Sequence, residues 1–324
     1  MRILIFNIAH IGDIFFSQAI VKTLCDSNPE QEFMLCQLYN YHLFQNIPNL
    51  KIIDDMQDLM VQNHLRAKKY IRMADDLIAI NTWIGGYHEL VPVMECNPLA
   101  IFDIFARTIQ EINHEFGLSL MFDTNRSHLE KLPSLPYDRF EPFDSWKDRL
   151  QKDCIFYYNY HPQSGQHIPV QSDHEHSLII RTLSETFPDK MILVPKRPIQ
   201  IQDDPWADNV ISCEDVFGVH ESLSCENVSQ LAVIANSCEI SVHYNIGACF
   251  YYLNKGSYQQ NRNGVRIHIN SVQCNFSDRL IRTMHEVEKQ TGARCSIMVR
   301  PLVCNHVQDI IQKLPDLIRS ILAS

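Results

Sequence analysis

Residues 2–24 read RILIFNIAHIGDIFFSQAIVKTL, and this opening constrains the fold more than any other stretch of the chain. An apolar run from Ile3 to Ile8 predicts a buried parallel strand. It breaks off at Ala9-His10-Ile11-Gly12-Asp13 and passes into helical spacing at Ile14, Phe15, Ala19, Ile20 and Leu24. A strand, a short glycine turn and a helix form the first half of a βαβ unit. In open α/β sheets, ligands bind outside the carboxyl ends of the strands. Asp13 therefore sits where chemistry is usually done, with Gly12 freeing the turn and His10 beside it. As a purely local feature, Asp13 would be a helix N-cap.

The alternation continues. The first half predicts strands at 33–38, near 51–53 and at 76–81, with helices at 57–71 and 98–116. The strand at 76–81 runs into a loop, Thr82 to Tyr87, that carries Trp83, Gly85, Gly86 and Tyr87. Aromatic side chains beside two glycines suit either sugar stacking or packing. Residues 131–147 hold three prolines and no periodicity, which predicts a linker and a domain boundary near residue 150. Residues 1–150 and 151–324 are thus expected to form two domains.

The second half restarts at Cys154–Tyr160 and leads into His161-Pro162-Gln163-Ser164-Gly165-Gln166-His167. A helix at 174–187 and a strand at Met191–Val194 follow, then Pro195-Lys196-Arg197. A short strand at 210–211 precedes a helix at 227–236. The strand Glu239–His243 runs into Tyr244-Asn245-Ile246-Gly247-Ala248-Cys249-Phe250. Further strands at 265–270 and 295–299 and helices at 277–290 and 306–322 complete the domain.

Composition narrows the partners. With 324 residues and a net charge of −10, and without a polybasic arm, the chain is not built to bind nucleic acid. A bound nucleotide must meet local groups instead: helix N-termini and a few Lys or Arg. The 11 cysteines show no CxxC spacing, and several stand in apolar runs, as reduced buried thiols do. No secretory h-region and no transmembrane-length segment is evident, so a cytoplasmic protein is expected, and peripheral membrane contact stays open. Asp173-His174-Glu175-His176 looks metal-like, but neighbouring helical residues diverge, so no metal is assigned. Arg66, Lys68, Lys69 and Arg72 are expected on a polar helix face, either solvated or greeting an anionic acceptor. There is no GxGxxG, Walker loop, GxSxG or HExxH to support a dehydrogenase, NTPase, serine hydrolase or zincin.

Arg2-Ile3-Leu4-Ile5, Ile11-Gly12-Asp13, Ser17, Ile20 and Leu24 together resemble the N-terminus of the lipopolysaccharide heptosyltransferases, glycosyltransferase family 9. The resemblance implies a GT-B fold, two Rossmann-like domains facing across a cleft, with Asp13 as the catalytic base. It extends to the second half, where His161-Pro162-Gln163-Ser164-Gly165 resembles the family's His-Pro-Gly-x-Ser. Ser222–Gln230 matches a Ser-x-x-Glu element that places Glu226 at the donor ribose. The family's donor-phosphate loop, Asp-Thr-Gly-Pro-x-His, falls on Asn245 to Phe250 or on Tyr244 to Ile246. Neither register keeps the aspartate or the histidine, and Gln166 and His167 stand near where the family has a lysine.

The resemblance implies an inverting, metal-independent glycosyltransferase of polysaccharide biosynthesis. It would move a sugar from a nucleotide-diphosphate donor to a glycan, a glycolipid or another hydroxyl acceptor, with no obligatory cofactor. The donor would contact His161, Ser164, Gly165, Gln166, His167, Lys196, Glu226 and the run Asn245, Ile246, Gly247, Ala248, Cys249. His10, Gly12, Trp83 and Tyr87 would line the substrate side. Two rivals stay open: a GT-B scaffold without catalysis that serves as a binding module, and a nucleotide-sugar epimerase or hydrolase on the same layout.

Overall fold

A computed structural model describes residues 1–7, 11–37, 41–53, 68–83, 98–135, 144–159, 169–170, 172–196, 206–219, 225–244, 251, 253–259, 264–271 and 277–324. The chain divides into two compact units. The first holds Met1–Leu135, Leu253–Lys255 and Arg282–Ala293. The second holds Pro136–Tyr252, Gly256–Ile281 and Arg294–Ser324. Each is an α/β unit built on its own sheet, so the chain has the expected class, α/β with two Rossmann-like domains.

In the first unit, β1 (Arg2–Asn7), β2 (Phe33–Gln37), β3 (Leu50–Ile52), β4 (Tyr70–Ala74) and β5 (Leu77–Asn81) form a sheet in the order β3-β2-β1-β5-β4. All pairings are parallel except β4 with β5. Ile3 to Phe6 are fully or almost fully buried, as central parallel strands covered on both faces must be. Helix α1 (Ile11–Ser27) returns the chain from β1 to β2. Helix α2 (Pro98–Phe116) buries Ile101, Ile104, Phe105, Thr108, Ile109 and Ile112, the face its periodicity predicts.

The end of one expected helix differs. Of the stretch 57–71, residues 57–67 lie outside the described residues, and from Tyr70 the chain forms the edge strand β4, which turns at Asp75-Asp76 into β5. Tyr70-Ile71-Arg72-Met73 is an alternating, β-prone run, and pairing with β5 outweighs the helical reading at its end. The basic cluster is therefore not a helix face. Lys69 pairs with Glu111 at 3.3 Å, and the Arg72 guanidinium lies 5.4 Å from the ring centre of Phe116. Arg66 lies outside the described residues.

In the second unit the order is β11-β10-β9-β6-β7-β8, parallel throughout. The strands are β6 (Cys154–Tyr157), β7 (Met191–Val194), β8 (Val210–Ser212), β9 (Ile240–Tyr244), β10 (Gly264–Asn270) and β11 (Ile297–Val303). The connecting helices are α4 (Asp173–Thr186), α5 (Cys213–Phe217), α6 (Cys225–Ser237), α7 (Gly256–Gln259), α8 (Ser277–Thr291), which from Arg282 belongs to the first unit, and, after β11, α9 (Val307–Leu322). Helix α3 (Asp144–Asp153) occupies the end of the stretch read as linker. Its buried Leu150 and half-buried Trp146, four residues apart, anchor it to this core. Cys25, Cys36, Cys154, Cys213, Cys238 and Cys304 are buried thiols, as expected. Burial raises the thiols of Cys25 and Cys154 to about 12, which keeps them protonated.

The two faces of this sheet differ in chemistry. Register puts Tyr157, Val242, Tyr244, Ile267 and Ile269 on one face, and Phe156, Ser241, His243, Arg266, His268 and Asn270 on the other. Arg266 is wholly buried. It donates to the carbonyls of Asn236 (2.8 Å) and Cys238 (3.1 Å), at the end of α6. A guanidinium there answers the unsatisfied carbonyls and the negative end of the helix dipole. The fit depends on Gly264, where a Cβ would stand 2.8 Å from both terminal guanidinium nitrogens.

Candidate functional site

Strand order determines where a ligand can enter each unit. In the first, the chain moves outward from β1 to β2 and β3, then resumes on the other side of β1 with β4 and β5. The direction switches between β1 and β5. In the second it moves from β6 to β7 and β8, then crosses to β9, β10 and β11, so the switch lies between β6 and β9. A crevice opens at such a point because the connections leave the two neighbouring strand ends in opposite directions.

The candidate loops leave these strand ends. Asp13 follows β1, and Trp83 follows β5. Helix α1 starts at Ile11, so Asp13 is the third residue of its first turn and not the expected N-cap. Its half-buried carboxylate still lies where the helix dipole favours negative charge, and Gly12 behind it is buried. Across the switch, Asn7 at the end of β1 donates from Nδ2 to Thr82 Oγ1 at 3.2 Å, and the Thr82 amide donates to the Phe6 carbonyl at 3.0 Å. Asn81 Oδ1 accepts from the Trp83 amide at 2.8 Å, which fixes the backbone on which the half-buried indole is mounted. His10 and Tyr87 lie outside the described residues.

In the second unit, the run 161–167 follows β6 and the run 245–249 follows β9, so His161, Ser164, Gly165, Gln166, His167, Asn245, Ile246, Gly247, Ala248 and Cys249 all belong to the two connections at the switch. All of them lie outside the described residues. Glu226 is the second residue of α6, and its side chain lies outside them too.

Lys196 is described, just beyond β7. Its backbone is gripped from the β6 side by Asn159, whose Nδ2 donates to the Lys196 carbonyl (2.9 Å) and whose Oδ1 accepts from its amide (3.2 Å). Its ammonium pairs with Asp173 at 3.2 Å, both side chains being about a third exposed. Ser172 caps α4 by accepting from the Glu175 amide, and Asp173 and Glu175 make that first turn acidic. The positive end of α4 is thus already met by its own carboxylates, and Lys196 offsets one of them.

His176 makes no metal cluster with its neighbours. It is buried and its Nδ1 lies 2.9 Å from the Tyr157 hydroxyl, which also bonds the Tyr244 hydroxyl. Among the described residues, no group of three or more His, Cys, Asp or Glu could hold a metal ion. Nor is any described helix long and apolar enough to cross a membrane.

Sequence reasoning missed Asn159 and Tyr157, and it named Asp173 only within the metal-like run and Tyr244 only within one register of the donor-phosphate loop. The signal was available in Tyr157-Tyr158-Asn159-Tyr160, since hydroxyls and an amide closing an apolar strand must find partners when buried.

No protein-family profile and no curated protein matches this sequence. Solved structures do resemble it in three dimensions. The E. coli heptosyltransferase WaaC with ADP aligns over 100% of this chain and 98% of its own, at 11% identity and a TM-score of 0.47. The E. coli ADP-heptose lipopolysaccharide heptosyltransferase II covers 100% and 99%, at 13% identity and 0.45. A family 9 glycosyl transferase from Veillonella parvula covers 98% and 90%, at 9% identity and 0.38.

Proposed function

We propose that this protein is an inverting, metal-independent glycosyltransferase of the GT-B type that uses a nucleotide-diphosphate sugar. One observation carries the reading: in each unit, the residues singled out from sequence, apart from Lys196 and Glu226, belong to the two connections that leave a topological switch point. The Ile11-Gly12-Asp13 turn, with its likeness to the family 9 transferases, supplies the chemistry.

In this reading Asp13 takes the proton of the acceptor hydroxyl as the hydroxyl oxygen attacks the anomeric carbon of the donor. The bond to the diphosphate oxygen breaks on the opposite side, and the configuration inverts. The departing diphosphate is met by backbone N–H groups of the 164–167 and 245–249 runs, with Lys196 as a nearby cation. Glu226 accepts from the ribose. His10, Gly12, Trp83 and Tyr87 shape the acceptor side, where a glycan or glycolipid hydroxyl is expected.

The changed donor loop, without a carboxylate or imidazole from Asn245 to Phe250, favours a second reading as a binding module that no longer transfers sugar. Asp13→Asn separates the two. The amide keeps the shape, so stability should change little. As the base is lost, transfer should fall by about 10²–10⁴-fold with nucleotide affinity unchanged. Wild-type protein that binds nucleotide sugars but transfers none would establish the binding module. Free sugar or isomerised donor as the sole product would establish a hydrolase or epimerase.

A further inference from the structure

The strands that flank the switch point of the second unit are joined by side chains as well as by backbone. Tyr157 is the last residue of β6 and Tyr244 the last of β9, both wholly or almost wholly buried on the same sheet face. Their hydroxyls bond to each other, and the rings meet edge to face with centroids 6.0 Å apart. Tyr157 also bonds His176 Nδ1, in the first turn of α4, and the imidazole lies edge-on to both tyrosine rings. Directly above, the Tyr158 amide donates to the Val242 carbonyl at 2.9 Å, the last backbone bond between these strands before their connections part.

We infer that Tyr244, Tyr157 and His176 form a latch that holds the carboxyl ends of β6 and β9 at a fixed separation and ties them to the first turn of α4. These are positioning residues for the nucleotide-binding rim proposed above, and this part of the inference rests on that reading. The geometry favours the role over plain core packing. A switch point is the one place in a parallel sheet where adjacent strands are not also held by connections running over their shared edge. Nucleotide affinity there depends on loop N–H groups being aimed in advance, because reorganising them on binding costs affinity. Apolar residues would fill the space equally well, but only directional bonds fix register and distance together. With the Tyr244 hydroxyl donating to Tyr157, and Tyr157 donating to Nδ1, each tyrosine proton is used in one chain that crosses the switch.

Tyr244→Phe is the informative variant, since it cuts the link between strands and keeps the Tyr157–His176 bond. Ile318→Val, in the buried face of α9, is the control that destabilises the same core away from the switch. If the latch exists, amide hydrogen exchange at Tyr158 quickens by about tenfold or more in Tyr244→Phe, beyond any change in Ile318→Val at equal loss of melting temperature. Affinity for ADP, UDP, GDP or CDP, whichever binds the wild type, falls by about tenfold in Tyr244→Phe and holds in Ile318→Val. Should Tyr244→Phe fail to fold, the Tyr157→Phe/Tyr244→Phe pair removes both hydroxyls together and reads the same quantities. Unchanged exchange at Tyr158 overturns the latch. Quickened exchange with unchanged affinity overturns its role at the nucleotide rim. If no nucleoside diphosphate binds the wild type, the transferase reading falls and the exchange result alone decides the latch.

Discussion

The two sheets bury polar side chains in different places. In the first unit, the buried polar residues within and just beyond the strands gather at the carboxyl rim: Asn7 ends β1, Gln37 ends β2, and Asn81 and Thr82 close β5, while the interiors of these three strands are apolar. In the second unit polarity runs along one face of two central strands, from Ser241 and His243 on β9 to Arg266, His268 and Asn270 on β10, all almost or wholly buried. A polar rim costs little, because strand ends border the loops and their amides clamp backbone there. A polar face must find its partners inside the core: here carbonyls at the end of α6 accept from Arg266, Ser277 accepts from Asn270 Nδ2, and His243 Nε2 lies 2.8 Å from Ser241 Oγ. The second unit should therefore respond far more strongly to changes of charge and of single polar groups.

The largest expected effect tests this at Arg266. Arg266→Ala removes a buried side chain and strands the Asn236 and Cys238 carbonyls. It should cost about 3–5 kcal/mol, read by denaturant unfolding. Gly264→Ala should move in the same direction, since its methyl group would displace the guanidinium. The arginine of the first sheet offers the contrast. Arg2 pairs with Asp76 in solvent, and Arg2→Ala should leave the unfolding midpoint where it is. Equal losses for the two arginines would break the comparison.

Acid supplies the next test. Burial lowers His268 from 6.5 to about 4 and pushes His243 well below its usual range, the latter helped by His268 and Arg266 beside it. Both are then neutral in the folded protein. Above pH 6.5 neither state takes up a proton and their contribution is fully present. As pH falls from 6.5 through about 4, the unfolded chain gains protons that the folded one refuses, and stability is lost. For His268 alone the shift corresponds to about 3 kcal/mol by the bottom of that window. Melting temperature followed from pH 7 to pH 4.5 should drop, and His268→Asn should flatten the slope. A wild-type profile no steeper than that of the variant would remove the histidines as its cause.

This polar face also marks the limit of what the sequence discloses. The parallel strands were legible because runs such as Met191–Val194 are apolar throughout, and α2 because its apolar positions recur at helical spacing. Arg266-Ile267-His268-Ile269-Asn270 reads as a half-exposed strand with polar residues facing water, yet all five are buried, with the end of α6 at Arg266 and Ser277 at Asn270. The linkage of Tyr157 to Tyr244 was invisible for a related reason: 87 residues separate them, and strand order, not spacing, brings them together. For the candidate site, local patterns singled out the turn at Asp13 and the two connections of the second unit, which strand order assigns to the switch points. Asn159 escaped notice, and Asp173 was read only within a metal-like run, because their roles exist only once β7 lies beside β6.

The smallest effect is expected in the first unit, at Thr82→Val. Valine matches threonine in shape, so packing around the end of β5 is kept. What is lost is the acceptor for Asn7 Nδ2 and the hydroxyl donor that lies 3.4 Å from the Phe6 carbonyl. That carbonyl keeps the Thr82 amide as its donor, and the backbone link across the β1–β5 switch survives. One neutral hydrogen bond is at stake, worth about 1 kcal/mol, or about 2–4 °C in a unit of this size. The rim is where Asp13 is carried, however, so a small thermodynamic change should be accompanied by a kinetic one. If the Asn7–Thr82 bond sets the approach of β1 and β5 beneath the Asp13 turn, sugar transfer should fall by more than the stability loss explains, while nucleotide affinity, which the proposed function assigns to the second unit, holds. A destabilisation as large as that of Arg266→Ala would mean that rim polarity supports the first unit as deeply as the polar face supports the second, and the contrast between the sheets would fail.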